Sequence, residues 1–200
     1  GSSARARVAA VRNDANAVIV ADAHHAGDFI CGAREQDERG GAVVDRGVLS
    51  DRFVAGRRGG LGVSGAIGHR VEAVDRDVEA RARLDRLANV RARAADIEAG
   101  PWPYAGEEFA GIVVTNYLHR PLLPLLVSGL APGGVLIYET FAAGNERFGR
   151  PSNPDFLLQP GELLEAVRGR LRVIAYEDLQ VDEPKPAMVQ RICAQRGDRS

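Results

Sequence analysis

The feature that most constrains this chain is a unit repeated between residues 69 and 196: a short apolar run, a polar residue that closes it, and a helical stretch behind it. Val71 to Val74 closes on Asp75, Arg91 to Ala95 closes on Asp96, and Gly111 to Thr115, carrying the β-branched IVVT, closes on Asn116. After the first run, Ala80, Leu84 and Leu87 recur at helical spacing. Pro121 to Leu130 reads as an apolar helix, stopped by Pro132-Gly133-Gly134. Val135 to Glu139 has little polar alternation, the pattern of a strand covered on both faces. Phe141 to Gln159 reads as a long loop with Arg147 and Arg150 on a solvated lid, and Pro160 and Gly161 open a helix with Leu163, Leu164 and Val167 on one face. Leu171 to Glu177 and Met188 to Ala194 then form two closing strands around a Pro-containing turn. This rhythm predicts an α/β sheet with helices on both faces.

The chain before it reads differently. Residues 1–65 are rich in Ala, Arg and Gly and hold few apolar clusters, so they are expected to be irregular, with 66–196 as the α/β domain and 197–200 as a tail. AVIVADAHH predicts a short strand ending at Asp22, GVLSDRFVAG a second, and GAREQDERGGA between them a solvated stretch. His24 and His25 stand near Asp22 and Asp28, but adjacent histidines do not readily reach one metal ion, and no metal site is expected.

Composition narrows the function classes. With 200 residues, 45% of them hydrophobic, one domain can bury a substantial core. A formal net charge of -1 leaves no excess positive charge for phosphates or an anionic bilayer, so neither nucleic acid nor membrane is an expected partner. Cys31 and Cys193 lie far apart without metal-ligand spacing, and no apolar run is long enough to span a bilayer, which together suggest a cytoplasmic protein.

Asp75, Asp96 and Asn116 each end a predicted parallel strand, and ligands of open α/β sheets bind at that edge. A carboxylate there can accept two hydrogen bonds from a ribose diol, and a second can accept from an adenine amino group. Any one of them alone is equally well explained as a cap on the following helix.

In series, HRVEAVDRD, ADIEAGPWP, IVVTNYLHRPLLP, LAPGGVLIYETF and GNERFGRPSNPDFLLQPGELLEA resemble successive motifs of bacterial class I S-adenosylmethionine-dependent methyltransferases, including those related to tellurite-resistance methyltransferases. The resemblance implies a Rossmann-like sheet, mostly parallel, closed by an antiparallel pair, and S-adenosylmethionine as cofactor with a small-molecule acceptor. It places the cofactor ribose on Asp75, the adenine ring on Asp96 and Ile97, and the methionine part beside Asn116. Tyr117 and His119, just beyond, become candidates for contacting substrate or accepting its proton. His119 reads as well as an exposed residue at a helix start, and Trp102 either covers an adenine edge or packs a turn. Glu139 and Thr140 end the next strand at the same edge.

The resemblance has two departures. Phe109 is followed by Ala110 where the family carries a Phe-Asp pair. More consequentially, no apolar strand running into a Gly-x-Gly turn precedes Asp75. Gly60, Gly62 and Gly65 form a nominal G-x-G-x-x-G, but it follows arginines and stands too close to Asp75. The likeness stops abruptly near Gly68, so either divergence has left a degenerate cofactor site or the upstream segment comes from a shifted reading frame; we adopt the shifted frame, and translation of the coding DNA in its other two frames tests it. Two rival readings remain: a non-catalytic remnant of the fold, and an NAD(P)-dependent oxidoreductase using the glycines above.

Overall fold

In a computed structural model of the protein, the residues described are 9–13, 16–22, 70–76, 78, 81–82, 90–182 and 185–198. Within them, β1 (Ala9–Asn13), β2 (Asn16–Asp22), β3 (Arg70–Asp75), β4 (Val90–Ala94), β5 (Phe109–Thr115), β6 (Leu130–Phe141), β7 (Arg172–Val181) and β8 (Ala187–Gln195) form one sheet. The strand order is β4-β3-β1-β2-β5-β6-β8-β7. Pairings β1–β3, β3–β4 and β5–β6 are parallel, whereas β2 runs antiparallel to β1, β3 and β5, and β8 antiparallel to β6 and β7. Six strands therefore share a direction, and the closing antiparallel pair expected from the sequence is present.

Within the part expected to be irregular, residues 9–13 and 16–22 are strands and lie at the centre of this sheet. The expected strand ending at Asp22 is β2, while β1 has no counterpart in the sequence reading. Only two residues separate the strands, far too few for the crossover that a parallel pair needs, so β2 must return antiparallel. The second N-terminal strand, GVLSDRFVAG, lies outside the described residues, as do Ala80, Leu84 and Leu87; residues 78, 81 and 82 beside them are helical.

Sequence and structure also part between 120 and 134. A 3-10 turn at Arg120–Leu122 leads into α1 (Leu123–Ser128), which is shorter than the predicted helix. Pro121 suits the first turn, whose amide would lack a partner anyway. The Ser128 hydroxyl donates to the Pro124 carbonyl at 2.9 Å, Gly129 closes the helix, and Leu130 already pairs with Phe109 of β5. The Pro-Gly-Gly predicted to break a helix instead makes an irregularity within β6. A Cβ at Gly134 would stand 2.8 Å from both the Ala131 and Phe109 carbonyl oxygens, so only glycine lets these backbones approach.

After β6, residues 142–161 carry short 3-10 turns at Asn145–Arg147 and Pro154–Phe156 and lead to α2 (Glu162–Val167). One face of the sheet buries Ile112, Val114, Leu136, Tyr138 and Ile192 against Leu126 and Val127 of α1 and Leu163 and Val167 of α2. The other face buries Val135, Ile137 and Cys193. Strands β5, β6 and β8 are thus covered on both sides, which explains why their sequences scarcely alternate.

Candidate functional site

Chain order in the sheet runs outward from β3 to β4 and then jumps across β1 and β2 to β5 and β6. That reversal is a topological switch point, and its crevice opens at the carboxyl ends of β3, β4, β5 and β6. Asp75 ends β3 and pairs with Ala94 of β4, so Asp75, Asp96 and Asn116 share one edge of the sheet. The paired Asn13 and Asn16 lie at the same edge, where Ala17 pairs with Thr115.

Asp96 organises the turn after β4. Its Oδ1 accepts from the amides of Glu98 at 3.0 Å and Ala99 at 3.1 Å, and its backbone carbonyl accepts from Gly100 at 2.9 Å. Oδ2 faces Arg76 Nη1 at 3.2 Å. The Ala99 and Glu98 amides first, and Arg76 after them, hold its carboxyl below the usual carboxylate range. Ile97, beside it, is buried in the core, so its side chain does not open onto the edge.

The next two residues tie this turn to the far side of the crevice. Tyr117 is only 7% exposed, and its hydroxyl donates to Glu98 Oε1 at 3.0 Å. Its own carbonyl accepts from the Tyr138 hydroxyl at 2.7 Å. Burial, and then the Glu98 charge, push the Tyr117 hydroxyl well above its ordinary pKa, so it stays a donor. Asn116 adopts a left-handed backbone with φ of 52°, and its amide donates to the Glu139 carbonyl at 2.9 Å. Asparagine is among the few residue types that tolerate this conformation, which turns the chain sharply off β5.

His119 precedes the 3-10 turn in extended conformation with no side-chain capping bond. Its neighbour Arg120 was not singled out by the sequence, yet it makes the densest polar contact at this edge. Its Nε and Nη2 meet Glu162 Oε1 and Oε2 at 2.7 and 3.0 Å, and Nη1 and Nη2 donate to the carbonyls of Asp155 and Leu157. The loop that read as a solvated lid is pinned elsewhere too. Buried Asn145 donates to the Pro151 carbonyl and accepts from the Met188 amide, and fully buried Gln190 donates to the Gln159 carbonyl at 2.6 Å. Arg147 bonds the Gly144 carbonyl within its own turn.

Several other candidates have structural roles. Trp102 stands edge-on to Tyr104, which stands edge-on to Phe109, both at 5.4 Å. Glu139 forms an ion pair with Arg191, which also faces Glu177, and Thr140 is buried. His24, His25, Gly60, Gly62 and Gly65 lie outside the described residues, and so does the Asp75 side chain. Among the described residues, no helix is long and apolar enough to cross a membrane.

No family model matches the chain, and no curated protein matches it. Among solved structures it is similar to the cyclase SpnF, with a TM-score of 0.51 and 13% identity over 84% of this chain and 87% of SpnF. The fold is class I methyltransferase-like. The N-methyltransferase NodS from Bradyrhizobium japonicum WM9 aligns at a TM-score of 0.47 and 17% identity over 63% of this chain and 72% of NodS. TehB from Haemophilus influenzae aligns at 0.47 and 16% identity over 62% of this chain, which spans about half of TehB, 49% of its length.

In this methyltransferase-like sheet, the residues missed from sequence are Glu98, Arg120, Asn145 and Gln190. Glu98 carried a usable signal, since a second carboxylate two residues past a strand-end Asp stands on the same turn. The others are polar residues tied to distant elements, as in Arg120 to Asp155 at 35 positions, Asn145 to Met188 at 43 and Gln190 to Gln159 at 31, beyond the reach of local pattern.

Proposed function

We propose that this protein transfers a methyl group from S-adenosylmethionine to a small-molecule acceptor. The observation that supports this best is the switch-point edge itself: β3 ending at Asp75, the Asp96 turn, and the left-handed Asn116 surround one crevice in a class I methyltransferase-like sheet. Carboxylate acceptors at this edge would suit the nucleoside half of the cofactor, whose hydroxyl and amino groups donate. When bound, the cofactor supplies an electrophilic methyl group on a sulfonium. The chain's own tasks are then to orient the acceptor in line, exclude water and take up a proton where the acceptor loses one. Tyr117 keeps its proton against Glu98, so proton uptake falls to His119 at the start of the 3-10 turn.

A second reading has an observation of its own. The centre of the switch point holds the β1–β2 hairpin, with β2 antiparallel, where a parallel strand and a glycine turn are expected. That arrangement favours a remnant of the fold with little affinity for the cofactor, and the fold alone leaves the chemistry open. Calorimetry with S-adenosylhomocysteine and NAD side by side tests all three readings. Losing the backbone contacts of a glycine turn is expected to weaken binding about a hundredfold from a micromolar site, to a Kd of roughly 0.1 to 1 mM. Micromolar affinity would mean that GRRGGLGVSG makes a working loop after all. No binding at millimolar ligand would leave the remnant, and binding of NAD alone would leave the oxidoreductase.

A further inference from the structure

We propose that Glu98, held in place by Tyr117, reads the amino edge of the ligand's nucleobase, while Asp96 serves its own turn. This rests on the adenosyl ligand proposed above and concerns which carboxylate meets the base. An ionised carboxylate offers about four lone-pair sites. Asp96 receives two backbone amides on Oδ1 and the Arg76 guanidinium on Oδ2, so three of its sites already serve its own turn. Glu98 differs: Oε1 accepts the Tyr117 hydroxyl at 3.0 Å, and Oε2 has no hydrogen-bond partner among the described residues, on a side chain exposed at the ligand edge.

What makes Glu98 more than a solvated acid is its holder. A long exposed side chain ordinarily loses rotamer freedom on meeting a ligand. Here Tyr117 is buried, and the Tyr138 hydroxyl fastens its carbonyl at 2.7 Å, so the phenol cannot swing away and the carboxylate is oriented before the ligand arrives. The same bond links the turn after β4 to the end of β5 and so spans the crevice walls. A carboxylate oxygen accepts from an exocyclic amino group and repels a carbonyl at the same position. Glu98 therefore selects adenine over hypoxanthine, with Tyr117 as its positioning residue.

The experiment is an amide NMR titration of the full chain with S-adenosylhomocysteine and with its 6-oxo counterpart, S-inosylhomocysteine. The parent is expected to prefer the amino ligand by about tenfold. Glu98→Gln, whose amide can also donate, brings the two ligands within about threefold of each other. Tyr117→Phe narrows the preference while leaving the amide positions of residues 96–100 in place, and Asp96→Asn leaves the preference intact. An unchanged preference in Glu98→Gln overturns the inference, as does its loss in Asp96→Asn with a parent-like spectrum. If the parent binds neither ligand at millimolar concentration, the adenosyl reading falls, and the inference with it. That outcome differs from the others because it appears before any substitution is made.

Discussion

Strands β5 and β6 bury residues on both faces and feed into a loop closed by interior side chains, whereas β4 exposes Arg91 and Ala94 and half-buries Ala92 and Arg93. The wing on the far side of the switch point is thus held by packing and by buried polar bonds. The β3–β4 wing ends in turns held by short, water-accessible contacts such as Arg76 to Asp96, where the Arg76 side chain is 65% exposed. The difference teaches where stability resides and where polar groups stay open to water. Residues that fix the scaffold cluster after β6, and those exposed at the sheet edge cluster after β4.

The largest test of that division is Leu158→Ala. Leu158 is fully buried, bridges Ala142 through the backbone and belongs to the main core. Its truncation should cost about 3 kcal/mol of unfolding free energy, read from urea denaturation. Arg76→Ala on the other wing should leave the urea midpoint unmoved, because exposed ion pairs contribute little. A larger loss from Arg76 than from Leu158 would break the comparison.

Arg120→Ala comes next. Two bonds to Glu162 and two to loop carbonyls vanish together, leaving Glu162, whose side chain is 19% exposed, to face water and the Gln159 amide alone. A loss of about 2 kcal/mol is expected, after allowance for the partial exposure of Arg120. Arg120→Lys should recover less than half of it, since an ammonium cannot reach both carboxylate oxygens and two carbonyls in one plane. Full rescue by Lys would mean that charge alone, and not the fork geometry, fastens the loop.

The same division explains what the sequence disclosed. The buried strands β3, β5, β6 and β8 announce themselves as apolar runs, β3 closing on Asp75 and β5 on Asn116, while β7, without a fully buried residue, shows only as the partner of β8. Asn116 was visible as a strand-end amide, and its left-handed turn gives that position a physical reason. The β1–β2 hairpin was half legible, because NAVIVAD is an obvious strand, while AAVRN is too short and too polar at its end to stand out. Arg120 and Gln190 could not be read, since a polar residue looks solvated until its partner arrives from another element. The shortened α1 was hidden for a related reason: Leu130 satisfies helical spacing and strand pairing alike, and the Phe109 contact decides.

Tyr117→Phe should have a smaller effect, about 0.5 to 1 kcal/mol, because Glu98 can turn to water once the hydroxyl is gone. Its signature is in the alkaline range. Burial raises the hydroxyls of Tyr104, Tyr117 and Tyr138 above their ordinary value. A raised folded-state pKa gives stability that is complete below the unfolded value, about pH 10, and lost as pH rises through the folded one. Tyrosinate absorbance should therefore rise together with unfolding. Tyr117→Phe should move that transition to higher pH, and ionisation of more than the half-buried Tyr176 in a still-folded parent would contradict the burial of these three rings.

A smaller effect than that of Tyr117→Phe is expected at Asp96, and its pH dependence runs in the opposite sense. The turn amides and Arg76 hold the carboxyl below its ordinary range, so its contribution is present above the unfolded value of about 4 and lost as pH falls through the folded one. Asp96→Asn retains an oxygen that can accept from the Glu98 and Ala99 amides but loses the charge beside Arg76. Because that charge sits in water, the parent should exceed the variant only slightly at pH 7, and added salt should shrink the gap. Below about pH 4 the two urea midpoints should converge, since protonation makes the parent resemble the variant. A gap that widened in acid would mean that Asp96 is held chiefly as the neutral acid. The β4 turn would then be built on a buried hydrogen bond of the kind found after β6, and the contrast between the two wings would fail at its most exposed point.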